Sequence, residues 1–544
     1  MNAINKHMFR NSIITCVSSI FLLGACSDKL DVTPKDQVSD ATLWTSTNNA
    51  DLFLNNIYGT LPGPMSMTDS WEHFSDNAIA GVAGQYSATV FGQANYNASN
   101  GPNLWGYYYN IRKANLFLAR VEASSLPDDW KKKRAAEARF LRAYFYSILW
   151  NYYGGVPLIT KVLNLAEQGD EVFYARSTSE ETMNFIVKEL DEISPDLLLK
   201  PETGRISRGA ALTLKAWCQL YMASPLYNTN GDLAKWKVAA DAYKAVMNLG
   251  VYNLFTDYNS LFLEENNNNE EVIFDKPYYR SNGMTGTMGP SYVGMSEYRG
   301  YGYSNPTQEL VNDYLMSNGK AISDPTSGYN PKKPYEGRER RFYADIIYDG
   351  SEWIGLEMIM KQGVGSKSAT DLSNLNEATN TGYYWRKLMD PKYAFVGNSQ
   401  NSAHFILFRY AEVLLGYAEA QNEFAGPDES VYAAINMVRK RVDLPILSGL
   451  NKEGMRKAIQ RERRVELTLE DKRYLDLLRW KQAEEKLNGV MHAVVIKKEN
   501  NEWVYSYVPA PGGTHAFYAN KNYFFPIPQQ ALDQNNKLKQ NPNY

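Results

Sequence analysis

The chain has 544 residues, of which 44% are hydrophobic and 22% charged, and its formal net charge is −3. That length can bury a large core, and the mildly acidic balance argues against a nucleic-acid partner, which would need a basic patch. Aromatic residues reach 13%, with 39 Tyr against 21 Phe, a bias toward rings that pack on one side and meet water on the other.

At the N-terminus, Lys6 and Arg10 precede an uncharged apolar run through Ile13, Ile14, Val17, Ile20, Phe21, Leu22 and Leu23, the anatomy of an export signal. The run is about a dozen residues, whereas a membrane-spanning helix needs roughly twenty. It ends in Leu23-Gly24-Ala25-Cys26, which resembles a bacterial lipobox, in which the cysteine is diacylated and becomes the new N-terminus. The alternative is a soluble secreted protein cleaved nearby. On the lipobox reading residues 1–25 are removed, Cys26 is the lipid attachment, and loss of Lys6 and Arg10 lowers the net charge from −3 to −5. Of Cys16, Cys26 and Cys218 only the last then keeps a thiol, so no intrachain disulfide forms and an apolar core must hold the fold.

Apolar residues at helical spacing follow in several stretches. The clearest is RFLRAYFYSILWNYYGG, where Phe140, Leu141, Tyr144, Phe145, Ile148, Leu149 and Tyr152 make a wide stripe that Gly154-Gly155 stops. Others run over 103–123, 208–223, 236–249, 405–424, 431–441 and 454–481, often in pairs with short turns. In the stretch 208–223, Ala210, Ala211, Ala216 and Ala223 allow a close neighbour while Leu214, Trp217 and Leu220 fill the seam. Leu415-Gly416-Tyr417-Ala418, followed by Ala420, Phe424 and Pro427, resembles a degenerate tetratricopeptide hairpin, and the whole reads as stacked helical hairpins. Between the helices lie two long aromatic, Gly-rich and Asn-rich regions, 62–102 and 256–306, too ring-rich for disorder. A third irregular region, 324–403, holds Arg338, Arg340, Arg341 and Trp353 and mixes turns with short strands.

Catalytic readings find little support. Glu462, Glu466 and Glu470 fall at i, i+4 and i+8 of the stretch 454–481, but Arg461, Arg463, Arg464, Arg473 and Arg479 lie close enough along it for ion pairs. Glycosidase carboxylates must instead flank a sugar from opposite sides. The five histidines are scattered, with neither an HExxH motif nor a cysteine cluster for zinc, and SNGMTGTMGP lacks the Lys-Ser/Thr of a phosphate loop. No cofactor is expected. The aromatic loops suit a sugar better, because rings cover its C–H face while polar side chains pair its hydroxyls. Candidate ligand-binding residues are Trp71, Asp76, Asn77 and Tyr86 in the first loop and Tyr279, Tyr292, Tyr301 and Tyr303 in the second.

Blocks spread over the whole mature chain give a more specific resemblance: LDVTPKDQVSDATLW, NLWGYYYNIRKANLFLARV, RFLRAYFYSILWNYYGGVPLI, GRISRGAALTLKAWCQLYMASPLYN, NPTQELVNDYLMSNGK, YEGRERRFYADIIYDG, FRYAEVLLGYAEAQN, RERRVELTLEDKRYLDLLRW and YFFPIPQQALDQNNKLKQNPNY. In this order they are similar to the SusD/RagB family, surface lipoproteins of Bacteroidetes that bind nutrient glycans, in some members peptides, and work with a TonB-dependent outer-membrane transporter. One block departs from the pattern: members often have Asp-Pro between the first two arginines of YEGRERRF, where this chain has Glu339 alone.

The resemblance implies a mainly α fold, a superhelix of four tetratricopeptide-like hairpins packed against an irregular lobe with few short strands. Residues 26–544 would form a single domain, with the hairpin scaffold over about 103–255 and 403–485. The ligand-binding lobe would take about 62–102, 256–402 and 486–544. Against starch-binding members, GYGY at 300–303 lies where a stacking aromatic follows a glycine, which favours Tyr301, and Tyr292 falls near another family ring. Trp71 would serve as platform, with Asp76 and Asn77 as hydroxyl partners. The implied function is non-catalytic glycan capture by a lipid-anchored protein that faces the exterior on the outer membrane and acts as the lid of a SusC-like TonB-dependent transporter. Peptide capture is the alternative, and a surface hydrolase the third reading.

Overall fold

The computed structural model describes residues 40–63, 71–81, 86–278, 302–363, 379–393 and 402–544. Among these residues, ten helices of seven residues or more form the frame: α1 (Thr47–Tyr58), α2 (Tyr107–Glu122), α3 (Asp128–Tyr153), α4 (Ser179–Ile193), α5 (Arg208–Ala223), α6 (Leu233–Met247), α7 (Tyr410–Ala425), α8 (Glu429–Arg441), α9 (Lys452–Glu466) and α10 (Arg473–Arg479). From α2 to α8 each helix packs on the next, and α9 folds back on α7, so the chain builds a stack of helical hairpins. No helix among the described residues is long and apolar enough to cross a membrane.

Local chemistry sets these boundaries. Asp128 and Asp129 open α3, where carboxylates meet the positive end of the helix dipole, and Gly154 at φ +75° ends it. Thr178 and Glu181 form a reciprocal capping box on α4, and Ser207 caps α5 through the Ala210 N–H. The alanines of α5 are buried as the sequence predicts. Gly416 of α7 admits the ring of Tyr243 on α6, since a Cβ there would come within 2.4 Å of it.

Among the described residues ten strands pair two by two, all antiparallel: β1 (Ala78–Ala80) with β3 (Ser304–Pro306), β2 (Val272–Lys276) with β8 (Phe405–Arg409), β4 (Ile346–Ile347) with β7 (Tyr384–Trp385), β5 (Glu352–Trp353) with β6 (Leu356–Glu357), and β9 (Gly489–Glu499) with β10 (Glu502–His515). The longest hairpin, β9–β10, turns on Asn500 and Asn501 at φ +50° and +70°, the left-handed pair of a two-residue turn. The helices and the C-terminal segment around Phe525 share one core, and the irregular lobe has its own around Tyr314, Phe342, Trp353 and Tyr383–Trp385.

Two predicted helices are corrected. Residues 405–409 are strand β8, buried on both faces and paired with β2, so the helix begins only at Tyr410. The stretch 454–481 is two helices, because the chain turns between Glu466 and Arg473 with Leu469 at φ +61° and Asp471 at φ +60°. Glu470 therefore lies in the turn rather than on a face shared with Glu462 and Glu466.

Those carboxylates are consumed in pairing, though with different partners from the ones their spacing suggests. Arg409 of β8 meets Glu271 at 2.7 Å, Glu466 at 2.6 Å and Glu470 at 2.7 Å. Arg341 meets Glu339, Glu462 and Glu466 at 2.7, 2.6 and 3.0 Å. Arg441 bridges Glu271 and Glu466, Arg439 meets Glu462 at 3.0 Å, and Lys387 meets Glu470 at 2.8 Å. Five carboxylates thus face five cations, all buried. Burial alone would push Glu466 up, but Arg441, Arg409 and Arg341 outweigh it and hold the carboxyl well below its ordinary value; Arg409 and Lys387 do the same for Glu470.

Removing one member leaves uncompensated buried charge, so Glu466→Ala is expected to cost about 3–5 kcal/mol in denaturant unfolding; a loss below about 1 kcal/mol would contradict this role. Because folded Glu466 and Glu470 bind protons less readily than the unfolded chain, their contribution is complete above about pH 4.3 and fades as pH falls below it. Melting temperature should accordingly drop steeply on acidification below that point.

Candidate functional site

The ladder of β1 with β3 joins the two aromatic regions, with Ala78 opposite Pro306 and Ala80 opposite Ser304. Beyond it the Gly81 N–H donates to the Tyr303 carbonyl at 3.0 Å. The backbones approach so closely here that a Cβ on Gly81 would lie 1.5 Å from the Gly302 oxygen. The third irregular region joins the same place: Asn380 Nδ2 donates to the carbonyls of Ala80 and Gly81 at 3.1 and 3.0 Å, and Trp385 Nε1 donates to Ser304 Oγ at 3.0 Å. Three segments far apart in sequence thus converge.

Beside this junction a short 3-10 turn, Trp71–Phe74, presents a half-buried Trp71. Its ring stacks on Tyr152 at 4.5 Å and 22°, lies parallel to Phe525 at 6.2 Å, and meets Phe74 edge-on at 5.1 Å. Tyr152 stacks in turn on Phe525 at 5.1 Å. Trp71 is therefore a supported plate with few rotamers open to it. Tyr86 is half-buried, with its hydroxyl donating to the Asn100 carbonyl at 2.8 Å, and Tyr303 is half-buried against the lobe core. Tyr279, Tyr292, Tyr301 and Cys26 lie outside the described residues.

Asp76 and Asn77 take a different role from the expected one. They are 3% and 0% exposed, and their polar atoms are already engaged. Arg473 donates Nε and Nη2 to the two carboxylate oxygens of Asp76 at 2.7 and 2.9 Å, and Arg464 lies 3.0 Å from Oδ2. Burial would raise this carboxyl, yet Arg464 and Arg473 prevail and hold it well below the usual range. Asn77 accepts from Arg464 Nε at 2.8 Å and donates to Glu72 at 2.9 Å. The pair clamps the loop to α9 and α10, and so orients Trp71 rather than meeting a ligand hydroxyl.

Sequence reasoning missed the crevice that Trp71 borders. It lies between α3, α5, β8 and the turn from α9 to α10, holds about 110 Å³, and is lined among others by Pro62, Tyr107, Tyr144, Asn151, Tyr152, Trp217 and Asp471. Tyr152 and Trp217 carry only the signal of a helical stripe, which reads as core. Among the described residues no group of three or more His, Cys, Asp or Glu side chains is placed to hold a metal ion. His73 and His515 are both buried, and burial pushes them down to about 3 and 4, so they stay neutral.

Comparison with known proteins agrees with this architecture. A family model described as the SusD family matches residues 270–544, and a second, described as starch-binding associating with outer membrane, matches residues 30–216. A SusD-like protein of Formosa agariphila is 25% identical over 507 residues, covering 89% of this chain and 94% of its own. The crystal structure of a SusD-like protein from Bacteroides fragilis matches with a TM-score of 0.78 at 27% identity, over 94% of this chain and 100% of that one. Another from the same organism, described as a SusD-like carbohydrate binding protein, gives 0.76 and 26% over 92% and 100%. With one model spanning half of its length and a mainly α frame that superposes on solved members, the chain belongs to the SusD family.

Proposed function

We propose that the protein is a non-catalytic glycan-binding lipoprotein of the outer-membrane surface, which captures an oligosaccharide and hands it to a TonB-dependent transporter that it covers as a lid. The observation that carries this reading is the half-buried Trp71 plate, stacked on Tyr152 beside the junction of the three irregular segments. A rigid ring at the edge of aromatic loops gives the C–H face of a sugar dispersion contact and apolar burial at little entropic cost. The names of related proteins point the same way: one matching model is described as starch-binding and one similar solved structure as carbohydrate binding. Glu462, Glu466 and Glu470, the carboxylates whose spacing suggests acid and base chemistry, are tied up in buried ion pairs, which favours binding over turnover. Tyr292 and Tyr301 complete the ligand face on this reading, Cys26 carries the lipid, and the hairpin stack serves as scaffold and transporter-facing surface.

Binding of the mature chain to a panel of plant, host and microbial polysaccharides, with peptide mixtures alongside, tests the proposal. One or more glycans should be retained. Replacing Trp71, Tyr292 and Tyr301 together by Ala should abolish retention, with the Tyr292→Ala and Tyr301→Ala single variants separating loss of binding from any loss of packing at Trp71. Retention of peptides alone would move the function to peptide uptake, and hydrolysis of a retained glycan would overturn the non-catalytic reading. For the anchor, Cys26→Ala is expected to shift the protein from the membrane fraction to the soluble fraction; continued membrane association would contradict a lipid at that residue.

A further inference from the structure

Three of the buried polar atoms that lack a hydrogen-bond partner belong to residues lining the crevice bordered by Trp71. Asn151 Oδ1, Trp217 Nε1 and Asp471 Oδ1 are each buried without a hydrogen-bond partner, and all three residues line it. Asn151 and Trp217 are only 4% and 7% exposed. One such group left unpaired costs about 1–3 kcal/mol, so folds pair them or keep them for a guest. Asn151 spends its Nδ2 on the Ser147 carbonyl at 2.7 Å, which leaves its oxygen as an acceptor. The indole of Trp217 is a donor only, and the rings of Trp71, Tyr107, Tyr144 and Tyr152 are among the crevice walls.

Few chemical classes satisfy all three atoms at once. A hydrocarbon satisfies none of them. An ammonium, a donor only, strands the indole N–H. An anion meets the carboxylate of Glu470, which lines the crevice, and Asp471 offers it no cation, its carboxyl being pushed up to about 8 by burial and Glu72 against the pull of Lys472. Lys472 pulls the other way, but its ammonium is already held by the Leu407 carbonyl at 2.9 Å and by Glu412 at 3.1 Å. Neighbouring hydroxyls both donate and accept, and the carbon skeleton that carries them lies well against rings. The space of about 110 Å³ is smaller than a cavity of about 150 Å³ that holds benzene, so it admits one edge or arm of a sugar and not a whole oligosaccharide.

We propose that this crevice is a subsite for the hydroxyl-bearing edge of a neutral sugar, with Trp217 Nε1 donating and Asn151 Oδ1 and the Asp471 carboxyl pairing the hydroxyls. This deepens the glycan reading and rests on it. The subsite makes the protein selective for neutral over acidic glycans, and it takes the end of a chain whose remainder lies on Trp71.

The test uses the mature chain and two variants that delete the polar atoms while keeping the walls, Trp217→Phe and Asn151→Leu. Starch, laminarin, xylan and galactomannan serve as neutral probes, and pectin and chondroitin sulfate as acidic ones, with any retained polymer then titrated by calorimetry. Wild type should retain a neutral polymer and no acidic one. Each variant should bind it at least tenfold more weakly while keeping a cooperative melt; Asn151→Leu also gives up the Nδ2 bond to the Ser147 carbonyl, so Trp217→Phe isolates the unpaired atom better. If a neutral polymer binds and depends on Tyr292 or Tyr301, yet Trp217→Phe and Asn151→Leu bind it as wild type does, the subsite is overturned and the glycan reading stands. Preference for the acidic polymers also overturns the subsite alone, and binding of no glycan at all overturns both.

Discussion

The buried cluster around Arg409 and Glu466 is the interaction on which the rest of the molecule depends. Its members come from the segment entering β2 (Glu271), the irregular lobe (Glu339, Arg341, Lys387), β8 (Arg409), α8 (Arg439, Arg441), α9 (Glu462, Glu466) and the turn after it (Glu470). A lobe whose own strands are mostly two to five residues long has little regular hydrogen bonding to fix its place on the helices. Ion pairs formed in one arrangement only supply that register. Desolvation offsets much of their Coulomb gain, so their contribution is to specificity of docking more than to net stability. A displaced lobe would leave several charges buried and unmatched, which is a steep penalty for any alternative packing.

The same logic runs through the aromatic loops. Arg464 and Arg473 reach from α9 and α10 to Asp76 and Asn77, and that clamp sets the angle of the turn carrying Trp71. Ring stacking then extends rigidity outward, from Tyr474 and Phe525 in the interior to Tyr152 and on to Trp71 at the border. The abundance of Tyr over Phe has a physical use here. Such rings pack against other rings while their hydroxyls reach backbone carbonyls, as Tyr108 does with Trp105 and the Pro157 carbonyl.

Much of the helical frame was legible because amphipathic spacing and capping are local. Residues 208–223 fold as one helix with the boundaries that their small-residue pattern indicates, and Gly154 ends α3 where the Gly pair predicts. Misreadings arose where a local pattern served a distant partner. The run FILF ahead of Arg409 is apolar at every position, and such a run does not distinguish a doubly buried strand from the first turn of a helix; only pairing with residues 272–276 decides it. The β9–β10 hairpin had a signal that went unused, alternating residues on either side of Asn500-Asn501. Asp76 and Asn77 sit in a polar, aromatic stretch that reads equally well as a ligand loop, and their true partners lie 387 to 397 residues away.

Polar satisfaction differs from place to place in the molecule. Most of the charge that the sequence advertises as chemistry, from Glu462 to Arg479, is matched inside the protein by ion pairs, although Arg463 Nη1 keeps no hydrogen-bond partner. In the crevice beside Trp71 the Asn151 amide oxygen, the Trp217 indole N–H and one carboxyl oxygen of Asp471 have no internal partner. A fold that orients Asp76 with two arginines does not lack means to pair Asp471. Asp471 stands at φ +60°, a left-handed conformation that Asp tolerates better than most residues, so the turn that brings its carboxyl to the crevice needs no glycine. A buried Oδ1 left without a partner is a cost to folding, and on the subsite proposed above a sugar hydroxyl would offset it.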